Sequence, residues 1–262
     1  MNGIAVAQFA PTADRDANLA VMRQLAETAV GRGATLVVFP EYSSYFTPTM
    51  GPDWITAAEA IDGPFATGLA AIATDLGVTV VAGMLESAGQ RAHNTVLAIG
   101  PDGQRAAVYR KMHLYDAFGA KESEWIAPGE IAAPTFEWGG LTVGLQTCYD
   151  IRFPEVTRAL VDAGAELVVV PAEWVRGPLK EHHWRTLLTA RAIENTIYLA
   201  AADHTPPIGV GNSMIVDPMG VELATIGEQA GVAVAELTPA RLQGVRRVNP
   251  ALALRRFGVH PL

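Results

Sequence analysis

Cys148 is the only cysteine in a chain of 262 residues. It stands where the apolar run Leu141-Thr-Val-Gly-Leu-Gln-Thr gives way to the turn Tyr149-Asp-Ile-Arg-Phe-Pro-Glu. A strand that ends in a sharp turn ahead of a helix lifts one side chain clear of the sheet and aims backbone N–H groups at whatever binds there. Free cysteine is among the most buried residue types, so plain packing is the alternative. The polar and charged residues on the turn side of Cys148 tip the reading toward a nucleophile.

Such a thiol needs help at neutral pH, because its reference pKa of roughly 8.5 leaves it mostly protonated. Two other β-runs end on ionisable groups. Thr35-Leu-Val-Val-Phe-Pro delivers Glu41, and Gln104-Arg-Ala-Ala-Val-Tyr-Arg delivers Lys111. In open α/β sheets, ligands bind at the carboxyl ends of strands. Glu41 can accept the thiol proton; Lys111 can stabilise a thiolate first and an oxyanion later. Singly, these residues read as a solvated loop acid and a surface cation, but with Cys148 they form a constellation for acyl transfer through a thioester.

The elements that must position them follow from hydrophobic periodicity. Short Val/Ile/Leu/Ala runs predict strands near residues 3–9, 35–39, 78–83, 95–99, 105–110, 141–147, 167–171, 197–202, 213–217 and 232–237. Amphipathic spacing predicts helices over 16–31, 64–76, 154–162 and 180–195, with Pro154 in a first-turn position. Pro101-Asp-Gly103 and Asp217-Pro-Met-Gly220 read as hairpin turns. The pattern mixes βαβ units with hairpins and has no tandem repeat.

Three segments, Phe39-Pro-Glu41, Tyr109-Arg-Lys-Met-His-Leu-Tyr115 and Gly144-Leu-Gln-Thr-Cys-Tyr-Asp-Ile-Arg-Phe-Pro-Glu155, resemble the signature segments of the nitrilase superfamily, the carbon–nitrogen hydrolases. The resemblance continues, in the family's order, through Val170-Pro-Ala-Glu-Trp174, Ala190-Arg-Ala-Ile-Glu-Asn195 and Gly211-Asn-Ser-Met-Ile-Val-Asp-Pro-Met-Gly220, so it runs along nearly the whole chain. It implies an α/β fold, a four-layer α-β-β-α sandwich, with residues 1–262 as a single domain. It also implies pairing across a helical face into a homodimer or higher homo-oligomer. The backbone N–H of Tyr149 joins Lys111 as an oxyanion donor in this reading. Glu122, in Phe118-Gly-Ala-Lys-Glu-Ser, matches the segment from which many members bring a second glutamate beside the lysine, with Glu124 the alternative.

Glu173 and Trp174, at the end of a predicted strand, are expected to line the pocket. Arg152 follows Cys148 closely enough to reach an anionic end of a substrate, since guanidinium suits bidentate carboxylate recognition. Its alternative is a structural pair with Glu155 or Asp150. The strings around Lys111 and Cys148 look most like the bacterial branch near the ω-amidases and deaminated-glutathione amidases, which act on linear amides carrying a carboxylate. The Tyr after Cys148 resembles amidases more than true nitrilases, which more often carry Trp there. An N-carbamoyl amidohydrolase, a nitrilase, and a thiol redox sensor or binding protein on the same scaffold are the competing readings.

Composition restricts the rest. Half the residues are hydrophobic, enough for one sizeable core. A single cysteine excludes an intrachain disulfide and makes a cysteine-based metal site implausible. The adjacent His182 and His183 would point about 100° apart on a helix rather than along one face. Gly209-Val-Gly-Asn-Ser lacks the lysine of a phosphate loop, and no Gly-x-Ser-x-Gly elbow is present. No metal or organic cofactor is needed for the chemistry. A formal charge of −8 offers no footprint for nucleic acid or an anionic membrane. The arginines at 241, 246, 247, 255 and 256 read as a solvated helix face followed by a tail packed on a partner subunit. The first residues read as a strand rather than a signal peptide, and the expected compartment is the reducing cytoplasm.

Overall fold

The computed structural model describes residues 2–261. In chain order the elements are β1 (Asn2–Gln8), α1 (Arg15–Gly31), β2 (Ala34–Val38), α2 (Pro52–Ala57), α3 (Pro64–Leu76), β3 (Thr79–Ala88), β4 (Arg91–Ile99), β5 (Arg105–Arg110), β6 (Thr135–Trp138) and β7 (Leu141–Leu145). There follow α4 (Pro154–Asp162), β8 (Leu167–Pro171), α5 (Lys180–Asn195), β9 (Tyr198–Ala202), β10 (Met214–Val216), β11 (Glu222–Thr225), β12 (Gly231–Leu237) and α6 (Pro239–Val248). Helix starts carry recognisable signals. The Asp14 side chain accepts the Ala17 N–H at the head of α1, and proline opens α2, α3, α4 and α6.

The strands form two six-stranded mixed sheets, ordered β12-β1-β2-β3-β4-β5 and β11-β10-β9-β8-β7-β6. Each has a parallel centre, β1-β2-β3 in one and β7-β8-β9 in the other, with antiparallel strands outside it. Period-two alternation explains how these sheets stack. In β1, Ile4 and Val6 face the other sheet while Ala5 and Ala7 face helices; in β8, Leu167 and Val169 face inward while Val168 and Val170 face outward. The inner layer joins Leu36, Val38 and Val81 to Leu145, Val169 and Ala200. On the outside, Met22 and Leu69 of α1 and α3 cover the first sheet, and Trp184 and Leu188 of α5 cover the second. The result is the expected α-β-β-α sandwich. Full burial of each Val or Leu in these layers contributes about 1.5–3 kcal/mol, which makes register in the central strands hard to shift.

The predicted strands and helices are present, with adjusted ends. The third strand extends to Ala88 and forms a hairpin with β4, which begins at Arg91 rather than 95. The strand before Cys148 stops at Leu145, although the Gln146 N–H still donates to the Val169 carbonyl of β8 at 3.3 Å. The short elements β6, β11 and α2 were not expected. β6 and β11 lie at one sheet's edges, where only their neighbours organise them, and six-residue α2 is too short for a periodicity signal. The basic C-terminal stretch is tied to carboxylates of this same chain: Arg241 to Asp217 (2.6 Å), Arg246 to Glu166 (3.5 Å) and Arg255 to Asp162 (2.5 Å).

Candidate active site

The cysteine sits on strained backbone. After β7 the chain enters a short 3₁₀ turn, Cys148–Arg152, and Cys148 itself adopts φ +42°, the left-handed region. A non-glycine residue there costs on the order of 1–3 kcal/mol unless its surroundings over-determine it. Asp150, fully buried, does much of that. One carboxylate oxygen accepts the Thr147 N–H (3.1 Å) and the Tyr109 hydroxyl (2.6 Å), and the other accepts His113 Nδ1 (2.9 Å). The Thr147 hydroxyl donates to the Pro171 carbonyl (2.6 Å), fastening the turn to β8. Tyr109 and His113 bracket Lys111 in sequence, so the same carboxylate ties the cysteine turn to the lysine segment. Tyr149 is the second residue of this turn, and N–H groups in the first turn of a helix have no intrahelical acceptor.

Glu41 arrives from the opposite sheet, directly after Phe39 and Pro40 beyond the end of β2. Its backbone presses against β3 at Gly83, where a Cβ would lie 2.6 Å from the Glu41 Cα and 2.7 Å from the Tyr42 nitrogen. The Glu41 carbonyl accepts His204 Nε2 at 2.7 Å. Burial lowers His204 to about 4, so its ring is neutral and donates from Nε2.

The side chains converge on one ammonium. Lys111 Nζ lies 2.9 Å from Glu41 Oε1 and 2.9 Å from Glu122 Oε2, and all three side chains are at most 3 % exposed. Asn94 spans the two carboxylates, donating from Nδ2 to Glu41 (2.6 Å) and Glu122 (3.1 Å). Glu122 also accepts the Tyr42 hydroxyl (2.6 Å) and the Tyr115 N–H (2.5 Å), while the second oxygen of Glu41 accepts the Glu173 N–H (2.6 Å). Burial alone would discharge Lys111, but Glu122 and Glu41 more than offset it and hold its pKa well above the usual range. Burial, followed by Glu41, pushes the Cys148 thiol well above its usual range despite Lys111. The resting site therefore holds a neutral thiol beside an ammonium clamped by two carboxyl groups.

Glu124, the alternative to Glu122, is at the surface and pairs with Lys121 at 3.5 Å. Glu41, Lys111, Glu122, Cys148, Tyr149, Glu173 and Trp174 all line one cavity of ≈ 1070 Å³. Burial and then Glu41 push the Glu173 carboxyl well above its usual range. Arg152 does not line the cavity and pairs with neither Glu155 nor Asp150. Its guanidinium lies 4.6 Å from the Trp174 ring centre and 5.5 Å from that of Phe118, with Nη2 3.5 Å from His183 Nδ1. Among the described residues, no group of three or more His, Cys, Asp or Glu side chains is disposed to hold a metal ion.

Asn94, Tyr42 and Lys180 had no part in the sequence reading of the site, where Asp150 entered as a possible partner of Arg152 and Tyr115 as the end of the lysine segment. For Asn94 there was a signal, a polar residue at the head of the apolar run Val96–Ile99. Lys180 offered none, being brought to Tyr115 only by the fold.

The sequence of this chain matches the carbon-nitrogen hydrolase family model over residues 3–247. It is 39% identical over 255 residues to a deaminated glutathione amidase from Escherichia coli O157:H7, covering 97% of each chain. An omega-amidase from Mus musculus is 30% identical over 272 residues, covering 98% of this chain and 96% of the relative. Among solved structures, a Glu-to-Gln variant of the amidase from Nesterenkonia sp. AN1 superposes with TM-score 0.82 at 30% identity, covering 97% of each chain. That variant carries the acetamide moiety of fluoroacetamide on its active-site cysteine. The chain belongs to the carbon-nitrogen hydrolase family, in the amidase branch of the nitrilase superfamily. It is a cysteine amidohydrolase, acting on small-molecule amides.

Proposed function

We propose that this enzyme hydrolyses the terminal amide of a small linear substrate bearing a carboxylate, in the manner of deaminated-glutathione amidases and omega-amidases. The observation that carries the chemistry is the Lys111 ammonium held at 2.9 Å by both Glu41 and Glu122 in the cavity that Cys148 lines. The names of the two relatives support the substrate class.

Glu41 takes the thiol proton as sulfur attacks the amide carbonyl, forming the C–S bond. This general base is required because the resting thiol is neutral. The negative charge that develops on oxygen is met by the Lys111 ammonium and the Tyr149 N–H. Collapse breaks the C–N bond, and Glu41 returns its proton to the departing ammonia. Water, deprotonated by the same carboxylate, then attacks the thioester carbonyl; the C–S bond breaks, the acid leaves, and sulfur recovers its proton. Glu122 holds Lys111 in place and keeps it charged. Glu173 and Trp174 line the pocket around the substrate.

The test is ammonia release from matched amides, nitriles and N-carbamoyl compounds by wild type and Cys148→Ala. Amide turnover, lost in the variant together with an acyl adduct seen by intact mass, is the expected result. Faster nitrile turnover, or carbon dioxide released with ammonia, would move the enzyme to another branch, and unchanged hydrolysis by Cys148→Ala would end the thiol mechanism.

We read the chain as one catalytic domain, supported by the core that the two sheets share. We also infer a homodimer or higher homo-oligomer, supported by the exposed apolar side chains Ile193, Met219 and Val221 around Gly220; sedimentation velocity tests it. The free thiol fits a reducing compartment such as the cytoplasm.

A further inference from the structure

Lys180 is a buried cation that the mechanism above does not use. It is the first residue of α5, only 5 % exposed, and lines the same cavity as Cys148. Three aromatic rings surround its ammonium, with centres 4.9 Å (Tyr115), 4.5 Å (Phe118) and 5.2 Å (Trp174) away. Its one hydrogen bond among the described residues runs from Nζ to the Tyr115 hydroxyl, 2.8 Å away, which leaves two N–H donors. The other cavity-lining cations have carboxylate partners: Lys111 with Glu41 and Glu122, Lys121 with Glu124, Arg176 with Glu228. Among the described residues, Lys180 has none.

The placement is costly in three ways. The ammonium is withdrawn from water, it lies at the positive end of a helix, and the Arg152 guanidinium shares the Trp174 ring with it. Burial and then Arg152 lower its pKa, although Cys148, Glu173 and Asp203 favour the charge. Tyr115 cannot serve as the missing anion, because burial pushes its hydroxyl up to about 12. Yet the Lys180 carbonyl is fastened by Trp174 Nε1 at 2.9 Å, so the residue is held where it is. Tyr115 also joins this ammonium to the reacting groups: its hydroxyl accepts from Lys180, its N–H donates to Glu122, and its ring packs 5.1 Å from that of Tyr149 beside the cysteine. A buried cation with no ion-pair partner among the described residues, one residue from the catalytic cluster, is a receptor for an anion on the molecule that reaches Cys148.

We propose that Lys180, inside its cage of Tyr115, Phe118 and Trp174, binds the carboxylate at the far end of the substrate, a role that Arg152 does not fill. This deepens the carboxylate-amide reading above and rests on it. The Arg152 guanidinium instead lies over the Trp174 ring, 4.6 Å from its centre.

Two measurements test it. The first compares kcat/KM for glutaramate, which carries a carboxylate, with that for the neutral valeramide in wild type, Lys180→Met, Lys180→Arg and Arg152→Met. The glutaramate-to-valeramide ratio is expected to fall about 10- to 100-fold in Lys180→Met, the usual cost of losing a hydrogen bond to a charged group. It should be partly retained in Lys180→Arg and fall far less in Arg152→Met. An unchanged ratio in Lys180→Met, or a loss that Lys180→Arg shares in full and that strikes both amides alike, overturns the proposal. The second measurement, titration of tryptophan fluorescence with glutarate, needs no turnover. Wild type should bind glutarate at least tenfold more tightly than Lys180→Met. Equal affinities overturn the proposal while amide hydrolysis stands; wild type that binds glutarate through Lys180 yet cleaves neither amide sinks the amidase reading instead.

Discussion

Tyr109 donates its hydroxyl to Asp150 Oδ2 across 2.6 Å, so the strand that carries the lysine and the turn that carries the cysteine share one fully buried carboxylate. Because that oxygen also accepts the Thr147 N–H, Asp150 holds Cys148 in its left-handed conformation and sets its distance from Lys111 at the same time. Asp150→Asn keeps the shape but turns an amide NH₂ toward groups that are themselves donors. We predict a loss of about 1–3 kcal/mol in stability, measured by urea denaturation, and a 10- to 100-fold fall in kcat/KM from misplacement of the nucleophile. A variant as active as wild type would remove Asp150 from the positioning argument.

The two glutamates on Lys111 are predicted to separate kinetically. Glu122→Gln is expected to lower amide turnover at least 100-fold, because Lys111 loses one of its two counter-charges, yet to leave alkylation of Cys148 by iodoacetamide within a few-fold of wild type. Glu41→Gln should slow both reactions, since it removes the base that activates sulfur. If Glu122→Gln turned over substrate normally, its role beside Lys111 would have to be abandoned.

Alkylation also has a predicted pH dependence. Burial and Glu41 raise the thiol pKa above its usual range, so the proton leaves at higher pH than from an ordinary cysteine. The alkylation rate of wild type should still be climbing at about pH 9, past the reference value of roughly 8.5. A plateau reached below pH 7 would indicate a preformed thiolate.

Gly83→Ala is predicted to displace the base from behind. Its Cβ would meet the Glu41 Cα at 2.6 Å, backbone against backbone, with no flexible side chain to yield. Overpacking of this kind costs about 1–3 kcal/mol, and the shift of Glu41 should appear mainly in kcat. Unaltered kcat with a raised KM would show that the strand moves as a unit and carries the site with it.

His204 should make the protein acid-sensitive. Its folded pKa of about 4 lies below the unfolded value of roughly 6.5, so the unfolded state binds more protons between those values and stability falls as pH falls through that window. Between pH 7 and pH 5 the loss from this residue is about 2 kcal/mol. His204→Gln, whose amide can still donate to the Glu41 carbonyl, should flatten the difference between urea midpoints at the two pH values. An undiminished difference would place the titrating group elsewhere.

Chain order by itself determined a good deal. Continuous apolar runs identified the central strands, because parallel strands buried on both faces must be apolar throughout, and strand-end positions singled out Glu41, Lys111 and Cys148. The segment around Glu122 was legible only through resemblance to a family. Whether Glu122 or Glu124 turned inward depended on a short 3₁₀ turn that buries one and exposes the other. The place of Arg152 depended on where Trp174 and Phe118 came to rest, with its guanidinium 4.6 Å and 5.5 Å from their ring centres. Asn94, Asp150 and Lys180 were decided by tertiary structure alone. Apart from local bonds such as Thr147 to Asp150, the partners that place them in the site lie 28 to 65 residues away along the chain, and no local pattern encodes those meetings. Periodicity reports a side chain's own burial, whereas a site is a set of distances between side chains, and those exist only after the two sheets have closed on their common core.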